Sequence, residues 1–317
     1  MSVAGSRPPA VAVVGSINID LVTYARRVPG PGESVIGELF QSGFGGKGAN
    51  QAVMARLLGA DVAFVGALGD DAYAAMTLQN FARIGVDASG VMRVTGSSGV
   101  APIWVEPDGT NRIIVVPGAN DLVTPAHAAA AIEGMAHLDV CVGQFEIPQA
   151  VTAAAFASAR RRGAVTILNP APAMSIDSSL LASTDWLIPN EVEFGILAGT
   201  GGEPSDPEMA TFAARTEARL LVTLGSRGAA LVSAEGTVDR IPAERVQAID
   251  TTGAGDAFVG AFAVGLALGL DEVAAVRVGI ACASDSVTKP GTQASFPDRD
   301  RSAALLAVVR GQSSAIS

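Results

Sequence analysis

Short apolar runs with almost no polar alternation recur along the chain, and they limit its fold more than any other feature does. Ala10-Val11-Ala12-Val13-Val14-Gly15, Val165-Thr166-Ile167-Leu168 and Leu220-Leu221-Val222-Thr223-Leu224 each read as a strand buried on both faces. Alanine-rich helical stretches lie between them, and that rhythm predicts a doubly wound, mostly parallel α/β sheet. At 317 residues the chain can bury a substantial core, and it shows no repeat, coiled coil or low-complexity linker, so one domain over 1–317 is expected.

Two stretches break the rhythm. Residues 21–44 carry little helix signal: Val28-Pro29-Gly30-Pro31-Gly32 is a turn cluster, and Ser34 to Phe40 is a candidate strand. Within 98–117, Val100 to Val105 and Arg112 to Val116 read as a strand pair turned by Pro107-Asp108-Gly109-Thr110. Together they predict a small β-sheet lid over a site, with an edge extension of the main sheet as the alternative that the residues leave open.

Composition removes several classes of function. A net charge of −10, with only the short basic runs Arg26-Arg27 and Arg160-Arg161-Arg162, argues against a nucleic-acid partner. The longest apolar run, Ala257 to Leu270, is too short to span a bilayer, and Met1 to Ala10 lacks an apolar signal core. Cys141 and Cys282 sit among apolar neighbours without metal or redox spacing, as buried thiols do in a reducing cytoplasm. The two histidines, His127 and His137, fall in an alanine-rich helical stretch, which disfavours Ser-His-Asp catalysis and histidine-bound zinc.

The chemistry concentrates in Asp250-Thr251-Thr252-Gly253-Ala254-Gly255-Asp256, which runs into the small, apolar helix Ala257 to Phe262. Glycines on either side of Ala254 let several backbone N–H groups approach a ligand, and the helix N-terminus adds roughly half a positive charge. That is an anion site. Asp256 can cap the first turn or stand beside a bound phosphate as a general base. The spacing is neither that of a dinucleotide fingerprint nor that of a P-loop, and Gly15-Ser16-Ile17-Asn18 is no dinucleotide fingerprint either.

Near the first strand, alternation puts Asn18 and Asp20 on one side, where they form a turn or grip neighbouring sugar hydroxyls. Gly43-Phe44-Gly45-Gly46-Lys47-Gly48-Ala49-Asn50-Gln51-Ala52 follows, with a helix through Leu58 ended by Gly59. This string and the Asp250 to Asp256 string resemble the N- and C-terminal signatures of the ribokinase-like (PfkB-type) sugar kinases. The resemblance extends through Gly69-Asp70-Asp71, Gln144-Phe145-Glu146, Asn169-Pro170-Ala171-Pro172-Ala173, Pro189-Asn190-Glu191-Val192-Glu193 and Thr223-Leu224-Gly225-Ser226-Arg227-Gly228, almost the whole chain.

The resemblance implies a three-layer αβα fold with a β-sheet lid, and transfer of the ATP γ-phosphoryl group to a sugar hydroxymethyl oxygen, with ribose the expected acceptor. Asp256 matches the family's base, and the amides of Gly253, Ala254 and Gly255 its anion hole. The sugar would be held by Asn18, Asp20, Gly46, Lys47, Asn50 and Glu146, although Lys47 could instead contact phosphate. ATP would lie on Asn190, Thr223, Gly225, Ser226, Gly228 and Gly255, with Glu193 organising Mg²⁺ through water. A monovalent cation, K⁺, would sit among Asp250, Thr252, Ser286, Lys289, Gly291 and Ser295. The sequence departs from the pattern at two places: Ile280, where a polar contact to the nucleotide base is common, and Lys289-Pro290, in place of a basic pair. Dimerisation through the lid is implied too, with Ile103, Trp104, Ile113 and Ile114 either as its apolar surface or simply as a cover over the sugar. Alternatives are a kinase for deoxyribose, a ketohexose or a nucleoside, and a sugar sensor that keeps the fold without catalysis.

Overall fold

The structure is a computed structural model, and it describes residues 7–313; the first six residues of the N-terminal stretch and Ser314 of the tail lie outside them. The chain opens with β1 (Ala10–Val14), then leaves the main sheet for β2 (Asn18–Tyr24) and β3 (Leu39–Gly45). Helix α1 (Lys47–Leu57) leads into β4 (Asp61–Leu68), α2 (Ala72–Ile84) and β5 (Asp87–Arg93). A second excursion makes β6 (Gly99–Val105), β7 (Asn111–Ile113) and a 3-10 turn over Gly118–Leu122. The main sheet resumes through α3 (Pro125–Gly134), β8 (Val140–Gly143), α4 (Gln149–Arg161), β9 (Val165–Leu168), α5 (Ser178–Leu181) and β10 (Trp186–Leu187). It continues with α6 (Glu191–Ala198), α7 (Asp206–Thr216), β11 (Arg219–Thr223), β12 (Ala229–Val232) and β13 (Val238–Ile241). Three helices close the chain: α8 (Ala254–Ala267), α9 (Glu272–Ser286) and α10 (Arg299–Ser313).

The nine-stranded sheet has the order β13-β12-β11-β10-β9-β8-β1-β4-β5, parallel except for β12 and β13. Burial on both faces explains the continuous apolar runs. In β1, Val11 and Val13 enter the core beneath α1, α8 and α9, while Ala12 and Val14 enter the opposite core beneath α3 and α4. From β1 the chain continues to β4 on one side and later to β8 on the other, so the strand order reverses at β1. Open α/β sheets bind ligands outside the carboxyl ends of the strands at such a point.

The second sheet, β3-β2-β6-β7, is built from the two excursions, and β2 pairs parallel with β6 from Asn18↔Gly99 onward. Its third-strand boundary differs from the sequence reading: the strand is Leu39–Gly45, not Ser34 to Phe40. Pairing along the whole of β2, Tyr24↔Leu39 to Asn18↔Gly45, sets those limits. One smaller expectation also changes: His127 lies in α3, but His137 lies beyond its end. The last helix, α10, runs on through Gly311 and Gln312. Among the described residues no helix is long and apolar enough to cross a membrane.

Candidate functional site

Asp256 occupies the first turn of α8 and is buried. It does not cap the helix. Gly253 is the N-cap, at φ 77°, where a Cβ would fall 2.7 Å from Thr292 Cγ2, so both the conformation and the close approach call for glycine. The Asp256 carboxylate is turned to α1 instead: Asn50 Nδ2 donates to Oδ2 at 2.8 Å and Gln51 Nε2 donates to Oδ1 at 3.0 Å. Gln51 is held in turn by Gln144, whose Nε2 donates to Gln51 Oε1 at 2.5 Å. At the turn before the helix, the Ala254 N–H donates to Thr251 O at 3.2 Å, a long bond that a phosphate oxygen can displace.

Around this carboxylate the structure gathers the expected sugar contacts. Asn18 and Asp20 begin β2 on one side of the strand. Asn120 Nδ2 donates to Asn18 Oδ1 at 2.9 Å, and the same side chain brackets the Ile17 backbone at 2.9 and 3.0 Å. Gly46, at φ 87°, starts α1 so close to β2 that a Cβ would lie 2.6 Å from the Asn18 nitrogen. Glu146 Oε2 accepts from Ser16 Oγ at 2.6 Å and from the Lys47 N–H at 3.1 Å, which fixes the carboxylate beside the start of α1. Thr292 Oγ1 donates to Asp20 Oδ2 at 3.4 Å.

The electrostatics follow from crowding acids around one ammonium. Burial pushes the Asp20 carboxyl up to about 6, a push reinforced by Glu146 and Asp256 and opposed by Thr292. Burial likewise raises Asp256, against the pull of Lys47 and the bonds from Asn50 and Gln51. Glu193 is raised by burial as well, with Lys47 and the Asn190 N–H working the other way. Burial alone would lower the Lys47 ammonium, but Asp256, Glu146 and Glu193 together hold it above its ordinary value. A protonated lysine facing three carboxylates is suited to accept a further anion only if other positive charge arrives with it.

The expected nucleotide residues lie on the next strands of the same sheet edge. Thr223, at the end of β11, bridges to Asn190, and its N–H donates to Pro189 O at 3.0 Å. Gly225 and Ser226 form an exposed 3-10 turn with Arg227, and Gly228 follows at φ 94°. Asn190 and Glu193 form a reciprocal capping box at the start of α6, each bond 2.8 Å. The pair thus closes the polar start of α6, and the box leaves one Glu193 oxygen outside it. Ile280 is buried in the apolar core and offers no polar contact to a nucleotide base.

The candidate cation residues converge where the segment after α9 meets the turn before α8. Asp250 Oδ1 accepts from the Thr252 N–H at 2.9 Å and Oδ2 from the Gly291 N–H at 2.8 Å, stapling the two segments together. Ser286 and Ser295 are buried beside them, and Ser295 Oγ donates to Thr292 O at 2.8 Å. Lys289 pairs with Asp285 at 2.8 Å and reaches Ser295 O at 3.4 Å. Carbonyls, hydroxyls and one carboxylate fit a large, weakly held cation, and the Lys289 ammonium stands as a competitor for one of those oxygens.

Gln51, Gln144, Ser16, Asn120, Thr292 and Gln293 are contacts that sequence reasoning did not assign. Gln51 and Gln144 stood inside the matching strings, so their amides were a usable signal. Asn120 and Gln293 meet the site from more than a hundred residues away, and nothing local marks them. A cavity of about 830 Å³, lined by Val11, Asp61, Asp87, His127 and His137 among others, opens at the amino ends of β1, β4 and β5, and holds none of the site residues.

Comparisons with known proteins bear on this geometry. The model of the pfkB family carbohydrate kinases matches residues 9–299. A ribokinase of Bacillus subtilis is 40% identical over 299 residues, covering 93% of this chain and 99% of that one. A deoxyribokinase of Salmonella typhi is 37% identical over 292 residues, covering 90% and 95%. Among solved structures, a ribokinase of Arabidopsis thaliana in complex with ribose and ATP superposes with a TM-score of 0.87 at 31% identity, covering 95% of this chain and 99% of that one. With the αβα sheet, the lid and the clustered acid–lysine site already in place, these likenesses mean that the chain belongs to the PfkB family of carbohydrate kinases and is a ribokinase-family sugar kinase.

Proposed function

We propose that the chain transfers the γ-phosphoryl group of ATP to the 5-hydroxyl of D-ribose, with Asp256 as the general base. The observation that carries this reading is the Asp256 carboxylate itself: buried at the head of α8, bonded through both oxygens by α1, and facing Lys47, Glu146 and Asp20. Asp256 takes the hydroxyl proton as the new O–P bond forms and the bond to ADP breaks. The amides of Gly253, Ala254 and Gly255 stabilise charge on the transferring group; losing one donor of this kind typically costs about 2.7–4 kcal/mol of barrier. Asn190, Thr223, Gly225, Ser226 and Gly228 hold the nucleotide. Glu193 and Asn190 would bind Mg²⁺ through water, where the ion neutralises phosphate charge that the acidic site would otherwise repel.

Ribose is favoured over a deoxy sugar by the polar wall of the site. With Asn18 Oδ1 occupied by Asn120, the Asn18 N–H groups remain to donate to a sugar hydroxyl. Asp20, Asn50, Glu146 and the Gly46-Lys47 backbone complete that wall. A sugar lacking the matching hydroxyl leaves a buried donor or acceptor unpaired, which typically discriminates by 10⁴ or more where no water replaces it (roughly 10⁴–10⁵). Deoxyribose is the second reading, because relatives named deoxyribokinase share 37% identity. ADP release from Mg-ATP, measured with D-ribose, 2-deoxyribose, fructose and adenosine, is expected to give the highest kcat/KM with ribose. A higher value with 2-deoxyribose would move the assignment to that sugar, and silence with every acceptor would favour a sensor.

The same assay addresses the cation. K⁺ bound among Asp250, Thr252, Ser286, Lys289, Gly291 and Ser295 would order the anion-hole turn through the Asp250 staple; equal rates in K⁺ and in a large organic cation at matched ionic strength would remove it. The second copy of the chain is the proposed partner of the lid. Leu39, Phe40, Ile113 and Ile114 are exposed there, an apolar surface that dimerisation would cover, and a monomer by sedimentation would exclude that use.

A further inference from the structure

The hydrogen bonds that serve Asp256 continue past Asn50. The carboxamide that donates to Asp256 Oδ2 accepts at its Oδ1 from Gln293 Nε2 at 3.0 Å. Gln293 Oε1 accepts from Asn80 Nδ2 at 3.1 Å, and Asn80 Oδ1 accepts from the Arg83 guanidinium at 2.8 Å. A single chain of amides thus runs from an exposed arginine in the last turn of α2, through the segment between α9 and α10, to the buried carboxylate.

Its direction is fixed by its ends. A guanidinium can only donate and an ionised carboxylate can only accept, so each amide between them must turn its oxygen toward Arg83 and its nitrogen toward Asp256. Bonds aligned in this way polarise one another and strengthen together. Apart from the bond from Arg83, three residues on in the same helix, Asn80 has no local reason to be where it is. Asparagine is a poor helix former, and its side chain, buried within α2, fills a place where an apolar residue would pack without needing partners.

We infer that Arg83, Asn80 and Gln293 are positioning residues for phosphoryl transfer, holding the Asn50 carboxamide with its N–H end on the carboxylate oxygen Oδ2 of Asp256. The inference rests on the reading of Asp256 as the base. Two near-isosteric substitutions reverse the chain. In Asn80→Asp the new carboxylate accepts from both Arg83 and Gln293, Gln293 turns over, and Asn50 follows until its oxygen faces Asp256. Gln293→Glu forces the same reversal directly, because glutamate accepts from both neighbours and donates to neither.

The pH profile of kcat with ribose and Mg-ATP tests this, with thermal melts to check folding. Lys47 on α1, Asp20 on β2, Glu146 after β8 and Glu193 on α6 face Asp256 in every variant, so their influence is common to all. Both reversing variants are expected to move the acid limb of the profile up by about one pH unit, since a bond to the charged form is lost, and to lower the plateau roughly tenfold. Asn80→Leu, which breaks the chain without reversing it, is expected to move the limb less. Asn80→Asp placed in a Gln293→Leu background keeps the added charge but cuts the chain. A shift that survives there is a through-space charge effect and overturns the inference. An unmoved limb in both reversing variants overturns it too. Where the limb stays unmoved, an inactive Asp256→Asn in the same assay means that the base reading stands while the chain falls; an active Asp256→Asn means that the base reading itself falls.

Discussion

Asp256→Asn is expected to lower kcat by roughly 10²–10⁴, the range typical of losing a general base, while the protein keeps its fold. The expected stability change has a sign that depends on pH. Because burial raises the Asp256 carboxyl above its unfolded value, the wild-type contribution is most favourable below the unfolded value and is lost as pH rises through the folded one. The uncharged variant therefore compares best with wild type near neutrality, and its relative advantage shrinks as pH is lowered toward 4 or so, where the unfolded carboxyl takes up its proton. One cost opposes the gain: the new amide offers N–H to one of Asn50 or Gln51, which must turn over. Single-turnover ADP release and melts at two pH values check both parts. Turnover equal to wild type would remove Asp256 from the chemistry.

Lys47→Met is expected to have the larger effect on stability. The lysine faces Asp256, Glu146 and Glu193, and those carboxylates hold it protonated through the neutral range. Removing one partner of a buried charge group commonly costs about 3–5 kcal/mol, because the remaining charges stay buried without compensation. Here the acids can escape by binding protons. The loss should therefore be greatest near pH 8 and smaller near pH 5, and sugar-dependent turnover should be lost at both. Lys47→Arg is not expected to rescue, since a planar guanidinium cannot occupy the place of a compact ammonium. Urea unfolding at the two pH values measures it, and an equal loss at both would mean that Lys47 does not compensate those carboxylates.

The main sheet was legible because strands buried on both faces leave no choice of face, so β1, β9 and β11 appear in the sequence as apolar runs with almost no polar alternation. The lid was legible as strands but not at its boundaries. Beyond Phe40 the strand carries glycines and polar residues, Gln41 to Gly45, that show no strand pattern, and only pairing with β2 makes them one. In the site, the glycine turns and the acids of the matching strings could be named at sight, because each does its work within a few residues. The orientation of those groups could not. Whether Asp256 caps α8 or turns toward α1 is decided by Asn50 and Gln51, about two hundred positions earlier, and the setting of Asn18 by Asn120. Hydrogen bonds between segments so far apart leave no periodicity or spacing in one sequence.

The most direct test of the central claim is the position of the phosphoryl group in the product. Incubating the full chain with Mg-ATP and D-ribose and recording proton-coupled ³¹P NMR should give one new phosphomonoester resonance split by the two protons of a hydroxymethyl carbon, as transfer to the 5-hydroxyl requires. A resonance split by a single anomeric proton, or inorganic phosphate alone, would contradict the account.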